Sequence, residues 1–308
     1  MLVLGTLLLN AAAFEHARAL TRFSPDGPRT GRAESLSAIE KLQVLTEGVR
    51  IPKPRNRRTP LDVGLSYERH VFAGAHGLPI EAWLIPASPE HGVVVLFHGH
   101  AASKDQLLRV AKAFHEMGYA ALLVDFYGSG GSGGSDTSIG FFEAVDVAAA
   151  YRYARSLSRE RPVILYGVSM GAAAILKAVH DDYLDPSAIV LECPFDRLST
   201  TAAHRFRNVG LPAFPAALLL FWGGVQQGFN PFRMNPVDYA TAVRSPTLLM
   251  QGDRDPTITM GEARSIFAHL AGPKTLAVFP GARHELYIAA DRRRWTDAVG
   301  RFFDERYW

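Results

Sequence analysis

The chain has 308 residues, 48% of them apolar and 20% charged, enough for one large α/β domain or two smaller ones. A net charge of +3, with no basic stripe interleaved with aromatics, argues against a nucleic-acid partner. The one cysteine, Cys193, can form no internal disulfide and has no Cys or His at metal-ligand spacing, so neither an oxidising compartment nor structural zinc is called for.

The chain opens on MLVLGTLLLNAAAF, an apolar run shorter than the about 20 residues that span a bilayer. It lacks a basic leader region, although Ala11 to Ala13 resemble a small-residue cleavage site. Three readings of residues 1–22 stay open: a shortened membrane anchor, a weak export signal, or a helix packed on the domain. Localisation, membrane-associated or cytoplasmic, stays open with them. Residues 23–60 read as a polar linker. Its basic stretch KPRNRR, Lys53 to Arg58, is a solvated segment or a patch for acidic lipid headgroups.

From Leu61 to the end the chain reads as one domain, residues 61–308, in which strands and helices alternate. YERHVF and IEAWLI alternate in polarity, as antiparallel strands with one wetter face do. GVVVLF, AALLVDF, PVILYG, AIVLEC, PTLLMQ and KTLAVF are nearly continuous apolar runs, the pattern of parallel strands covered on both faces. Helix patterns lie at Ser103 to Met117, Phe141 to Leu157, Gly171 to Val179, Gly261 to Leu270 and Arg292 to Phe303. The alternation predicts a mostly parallel eight-stranded sheet with helices on both faces. Residues 198–244 break the rhythm and carry LPAFPAALLLFWGG. They read as a small helical cap over the carboxyl edge of the sheet, or as a core helix packed elsewhere.

The pattern Gly-x-Ser-x-Gly occurs twice, around Ser132 and around Ser169. A nucleophile elbow needs a strand that stops and a helix that starts with almost nothing between, and small residues on either side of the serine. PVILYG runs straight into Ser169 and GAAAILKAV follows at once. About a dozen glycines, serines and polar residues separate the strand before Ser132 from the helix at Phe141. Ser169 is therefore the candidate nucleophile. The loop after PTLLMQ supplies Asp255, with Asp253 as its competitor, and the loop after KTLAVF supplies His284. Nucleophile, acid and histidine then fall in the chain order of a serine hydrolase triad. The oxyanion donors expected are the backbone N–H groups of Met170 and His100. His98 reads as a structural histidine. Leu218, Phe221 and Trp222 are the expected apolar wall of a substrate pocket, or the packing surface of the cap.

Together LFHGHAASK, LLVDFYGSGGSGGS, YGVSMG, GDRDPT and FPGARHE resemble the α/β-hydrolase superfamily, in particular its Bem46-like and serine-aminopeptidase-like branch. The resemblance spans about Leu61 to Phe303. It implies Ser169, Asp255 and His284 as the triad, His100 and Met170 as oxyanion donors, and no cofactor or metal. The extra glycine in DFYGSGGSGGS implies a mobile pocket floor. Such proteins often carry an N-terminal hydrophobic anchor, and here that segment is short. The expected activity is hydrolysis of an ester or related small acyl substrate. An aminopeptidase is the enzymatic alternative, although residues 199–224 hold no Asp or Glu for a substrate amine. A non-catalytic binding protein on the same fold is the alternative of another class.

Overall fold

The computed structural model describes residues 2–31, 37, 39–40, 43–44, 48–88, 91–157, 160–208, 210 and 212–307. Its centre is one sheet of eight strands: β1 (Glu68–Ala73), β2 (Pro79–Ile85), β3 (Val93–Phe97), β4 (Ala120–Val124), β5 (Val163–Val168), β6 (Ala188–Glu192), β7 (Thr247–Gly252) and β8 (Lys274–Phe279). The spatial order is β1-β2-β4-β3-β5-β6-β7-β8. β2 pairs antiparallel with β1 and β4; every other pairing is parallel. All eight strands lie where the sequence places them. The first two are the antiparallel pair that their alternation predicts.

The helices named here are α1 (Leu2–Thr21), α2 (Leu108–Glu116), α3 (Glu143–Leu157), α4 (Met170–Asp182), α5 (Leu198–Asn208), α6 (Pro215–Gln227), α7 (Pro236–Tyr239), α8 (Met260–His269), α9 (Tyr287–Ala290) and α10 (Arg292–Tyr307). Two cores sandwich the sheet. Val93, Val95 and Phe97 of β3 face one, with residues of α3, α4 and α8. Val94 and Leu96 face the other, with residues of α2 and α10. Both faces of β3 are thus dry, which is why its sequence is an unbroken apolar run.

α5 and α6 fill the insertion between β6 and β7. α1 lies on α6: Phe14 meets Trp222 edge-on at 5.5 Å between ring centroids, and the indole Nε1 donates to Asn10 Oδ1 at 3.2 Å. Gln226 Nε2 donates to the Phe14 carbonyl at 2.9 Å. The helix packs on the domain from Asn10 onward, while Val3, Leu4, Leu7, Leu8 and Leu9 are exposed. No helix among the described residues is long and apolar enough to cross a membrane.

The described part of residues 23–60 does not stand off as a linker. Ser24 N–H donates to Ile51, and Lys53 Nζ donates to the carbonyls of Ser132 at 2.9 Å and Gly134 at 2.8 Å. Asn56 Nδ2 reaches Asp125 Oδ2 at 2.7 Å. Lys53 and Asn56 have polar partners on the sheet domain, Arg55 pairs with Asp26 at 3.1 Å, and Arg57 and Arg58 are exposed.

Those partners belong to the glycine-rich loop after β4, and they correct the expectation of a mobile floor. The Asp125 carboxylate is fully buried and accepts from Lys104 Nζ, Lys104 N–H, Asn56 and Gly131 N–H. Ser132 Oγ donates to the Asp125 carbonyl at 2.7 Å and accepts from Glu81 N–H at 2.9 Å. A Cβ on Gly130 would sit 1.9 Å from Asp125 Oδ2. Glycine here permits close approach to a buried charge. Every donor that a buried carboxylate recruits fixes a piece of the loop.

Candidate active site

β5 ends at the middle of the sheet, and Ser169 follows it directly. The residue adopts φ 53° and ψ −110°, a conformation that costs a non-glycine residue about 1–3 kcal/mol. Surrounding bonds impose it: Ser169 N–H donates to the Glu192 carbonyl at 2.8 Å, and its carbonyl receives Ala173 N–H at 3.0 Å as α4 begins. The turn is tight because α4 starts one residue after the serine. A Cβ on Gly171 would lie 2.6 Å from the Phe97 carbonyl oxygen of β3. Gly171→Ala is expected to lose about 1–3 kcal/mol of stability, since backbone must move to admit the methyl. Thermal denaturation measures it, and an unchanged midpoint would show that the elbow has slack.

Ser169 Oγ lies 3.1 Å from His284 Nε2, and His284 Nδ1 lies 2.7 Å from Asp255 Oδ2. The other oxygen, Asp255 Oδ1, accepts the N–H groups of Thr257 at 2.7 Å and Ile258 at 2.9 Å. These two bonds aim Oδ2 at the imidazole. Asp253 points elsewhere: its Oδ1 accepts Gly281 N–H at 2.7 Å and ties the β7 loop to the β8 loop. Burial pulls the His284 pKa down, but the adjacent Cys193 sulfur and the Asp255 carboxylate push it up further, and the net direction is upward.

The N–H groups of Met170 and His100 make no hydrogen bond to a described residue. Met170 opens α4, where the first N–H groups of a helix have no intrahelical partner and the dipole is positive. His98 Nδ1 donates to the Gly99 carbonyl at 2.8 Å, and its Nε2 accepts Phe126 N–H at 3.2 Å. That pair of bonds fixes its tautomer and shapes the turn before His100. The His100 side chain is half-buried; desolvation and the nearby Arg205 lower its pKa to about 4 and leave it neutral. Its Nε2 donates to the Leu20 carbonyl at 3.2 Å, binding the end of α1 to the loop after β3.

Two chambers share Ser169, His100, Leu20 and Arg205 in their walls. The first, 580 Å³, is walled mainly by apolar side chains, among them Leu198 and Phe206 of α5, Leu219 and Leu220 of α6, and Ile139. Leu218, Phe221 and Trp222 are not among its walls. Trp222 is engaged with α1, and Phe221 is 53% exposed on the outer side of the helix. The apolar run was legible, but its inward face is Leu219 and Leu220. With apolar residues on nearly every position of α6, periodicity could not choose the face. The second chamber, 520 Å³, is more polar and includes Thr30, His98, Gln106 and Glu285.

Sequence reasoning missed three contributors. Cys193 follows β6 at φ 41°, and its sulfur, one Asp255 oxygen and one His284 nitrogen lie within 4.8 Å of one another. Linear spacing gave it no partner; the fold brings it His284. The direct Nδ1 to Oδ2 bond already uses the atoms with which Asp255 and His284 face each other. Burial pushes the Cys193 thiol up, against the pull of the neighbouring His284. Glu192, also buried, accepts from Tyr166 OH and Trp295 Nε1, both at 2.6 Å, beneath the turn whose N–H its own carbonyl holds. Its position at a strand's carboxyl end was the available signal. Arg205 carried none, because one residue on a polar helix does not declare its direction.

Residues 88–220 match the family model of the serine aminopeptidases, S33. The chain is 23% identical to the lysophosphatidylserine lipase ABHD12 of Xenopus tropicalis, over 77% of this chain and 66% of that one. It is 25% identical to a monoacylglycerol lipase of Mycolicibacterium smegmatis, over 77% of this chain and 97% of that one. Its fold is similar to that of a Pyrococcus furiosus esterase, with TM-score 0.70 and 21% identity over 83% of this chain and 97% of that one.

Proposed function

Because the chain has the α/β-hydrolase fold, we propose that it cleaves carboxylic esters of apolar acyl groups through an acyl-serine intermediate, in the manner of a carboxylesterase or lipase. The observation that carries this reading is the chain of contacts from Ser169 Oγ to His284 Nε2 and from Nδ1 to Asp255, opening onto an apolar chamber. Ser169 Oγ attacks the acyl carbonyl as His284 Nε2 takes its proton. The Asp255 carboxylate holds the imidazole tautomer and stabilises the imidazolium. The N–H groups of Met170 and His100 receive the negative charge on the carbonyl oxygen. His284 returns the proton to the departing alcohol, and water then repeats the sequence on the acyl-serine.

The lipase names of two relatives support an acyl ester as substrate. The family model's name favours a peptidase instead. Against that stands the chamber lining: among the described residues its one carboxylate is Glu285, beside His284. A panel of p-nitrophenyl esters of rising chain length, set against aminoacyl anilides, tests the choice. kcat/KM should climb with acyl length to about eight or ten carbons, at about 0.8 kcal/mol per buried methylene at most. Preferred cleavage of the anilides would overturn the ester reading.

The pH profile follows from His284. As a base it must be neutral, and its pKa is raised above the ordinary 6.5. Activity should therefore fall as pH drops through a midpoint above 6.5. A kcat/KM profile from pH 5 to 10 reads that midpoint. A value at or below 6.5 would mean that the Asp255 and Cys193 contacts do not act on the free enzyme.

A further inference from the structure

The second chamber is one-sided in charge. Arg29, Arg50 and Arg205 line it, and Glu285 is the one carboxylate in its wall among the described residues. Some arginines elsewhere pair with acids: Arg22 with Asp136, Arg152 with Asp182, Arg197 with Asp196 and Asp238, and Arg292 with Glu116. Arg205 has no ion pair or hydrogen bond with any described residue, and it borders both chambers together with Ser169. We propose that this chamber is a subsite for an anionic oxygen group, phosphate or carboxylate, on the alcohol portion of the ester. The inference rests on the acyl-ester reading above.

The geometry divides the two halves of an ester between the two chambers. Ser169 lies in both walls, so an acyl chain in the apolar chamber leaves the alcohol portion facing the polar one. Arg205 lines the chamber from α5, and Arg29 and Arg50 line it together with Thr30, Val49 and Ile51. Thr30 N–H donates to the Arg50 carbonyl at 3.0 Å, and Arg50 N–H donates to Thr30 Oγ1 at 2.6 Å. These two bonds zip the backbones that carry the second and third arginines. Both also edge a neighbouring hollow that holds Glu15 and Glu40, so Arg205 is the arginine committed to the reacting serine. Arg205 is exposed, so its guanidinium is open to a ligand entering the chamber. An accessible guanidinium without a carboxylate partner is a group that an incoming anion can pair with. Its planar fork matches phosphate or carboxylate through two parallel bonds.

Three octanoyl esters test this, used below their micelle concentrations: octanoyl glycerol, octanoyl glycerol phosphate and octanoyl glycerate. The full chain should cleave at least one of the two anionic esters about 10- to 100-fold better in kcat/KM than the neutral one. A gain for the phosphate ester alone identifies phosphate, a gain for the glycerate alone identifies carboxylate, and a gain for both identifies charge alone. Arg205→Gln should erase the gain, bringing the anionic esters down to the kcat/KM that the same variant shows with octanoyl glycerol. Arg205→Lys should restore part of it, since it keeps the charge and loses the fork. Equal cleavage of all three esters by a protein that labels with a fluorophosphonate overturns the subsite and leaves the ester reading standing. An Arg205→Gln protein that loses all three rates alike also overturns the subsite and spares the ester reading. A folded protein that neither labels nor cleaves overturns the ester reading, and the subsite with it.

Discussion

Ser169→Ala is expected to lower kcat on p-nitrophenyl octanoate by about 10⁶-fold, leaving only what positioning and the oxyanion donors provide without a nucleophile. Covalent labelling by a fluorophosphonate should vanish with it. Stability should hold or rise slightly, because alanine removes no buried bond except the one to His284. Ser132→Ala is the matched control. Its hydroxyl ties the Asp125 carbonyl to the Glu81 N–H inside a packed loop, so the variant should lose stability and keep its label. A Ser169→Ala protein that still labels, or a Ser132→Ala protein that folds and does not, would overturn the assignment of the nucleophile.

Asp255→Asn carries the second large effect, about 10⁴-fold in kcat. The amide can still accept the N–H groups of Thr257 and Ile258 through its oxygen. Its NH₂ then faces His284 Nδ1, which must accept rather than donate. The imidazole is driven into the tautomer whose Nε2 carries a proton and can take none from Ser169. Asp253→Asn removes only one charge-assisted bond between two loops, so its kcat should stay within about tenfold of the parent. Steady-state kinetics of the two variants side by side decide the matter. The assignment of the acid fails if the Asp253 variant loses more than the Asp255 variant.

The sheet was legible because its strands are short apolar runs punctuated by glycine and proline, and parallel order follows from the helices between them. The elbow was legible because its requirements are local: a strand end, a serine and small neighbours within five residues. Asp255 and His284 were legible as positions after β7 and β8, but the choice between Asp255 and Asp253 rests on where backbone N–H groups hold each carboxylate. Residues 23–60 misled for a related reason. Proline and charge together look like solvated chain, yet Lys53 and Asn56 fall on carbonyls and a carboxylate more than sixty residues away. The glycine-rich loop looked mobile because glycine permits motion. Nothing local reveals that Asp125 and Lys104 need those glycines to come close.

The seating of α1 on α6 has a kinetic consequence. The bonds from Trp222 to Asn10 and from Gln226 to Phe14 each join residues 212 positions apart. Contacts of such high sequence separation carry the largest loop-closure entropy and form late in folding. The sheet and the elbow can be complete while the roof over Ser169 is still open, since neither requires α1. That seam is also among the contacts expected to break first in sub-global opening, well below the free energy of unfolding the sheet. Amide hydrogen exchange would show it as faster exchange in α1 and α6 than in β3 and β5. Such opening would widen the route of an acyl chain into the chamber.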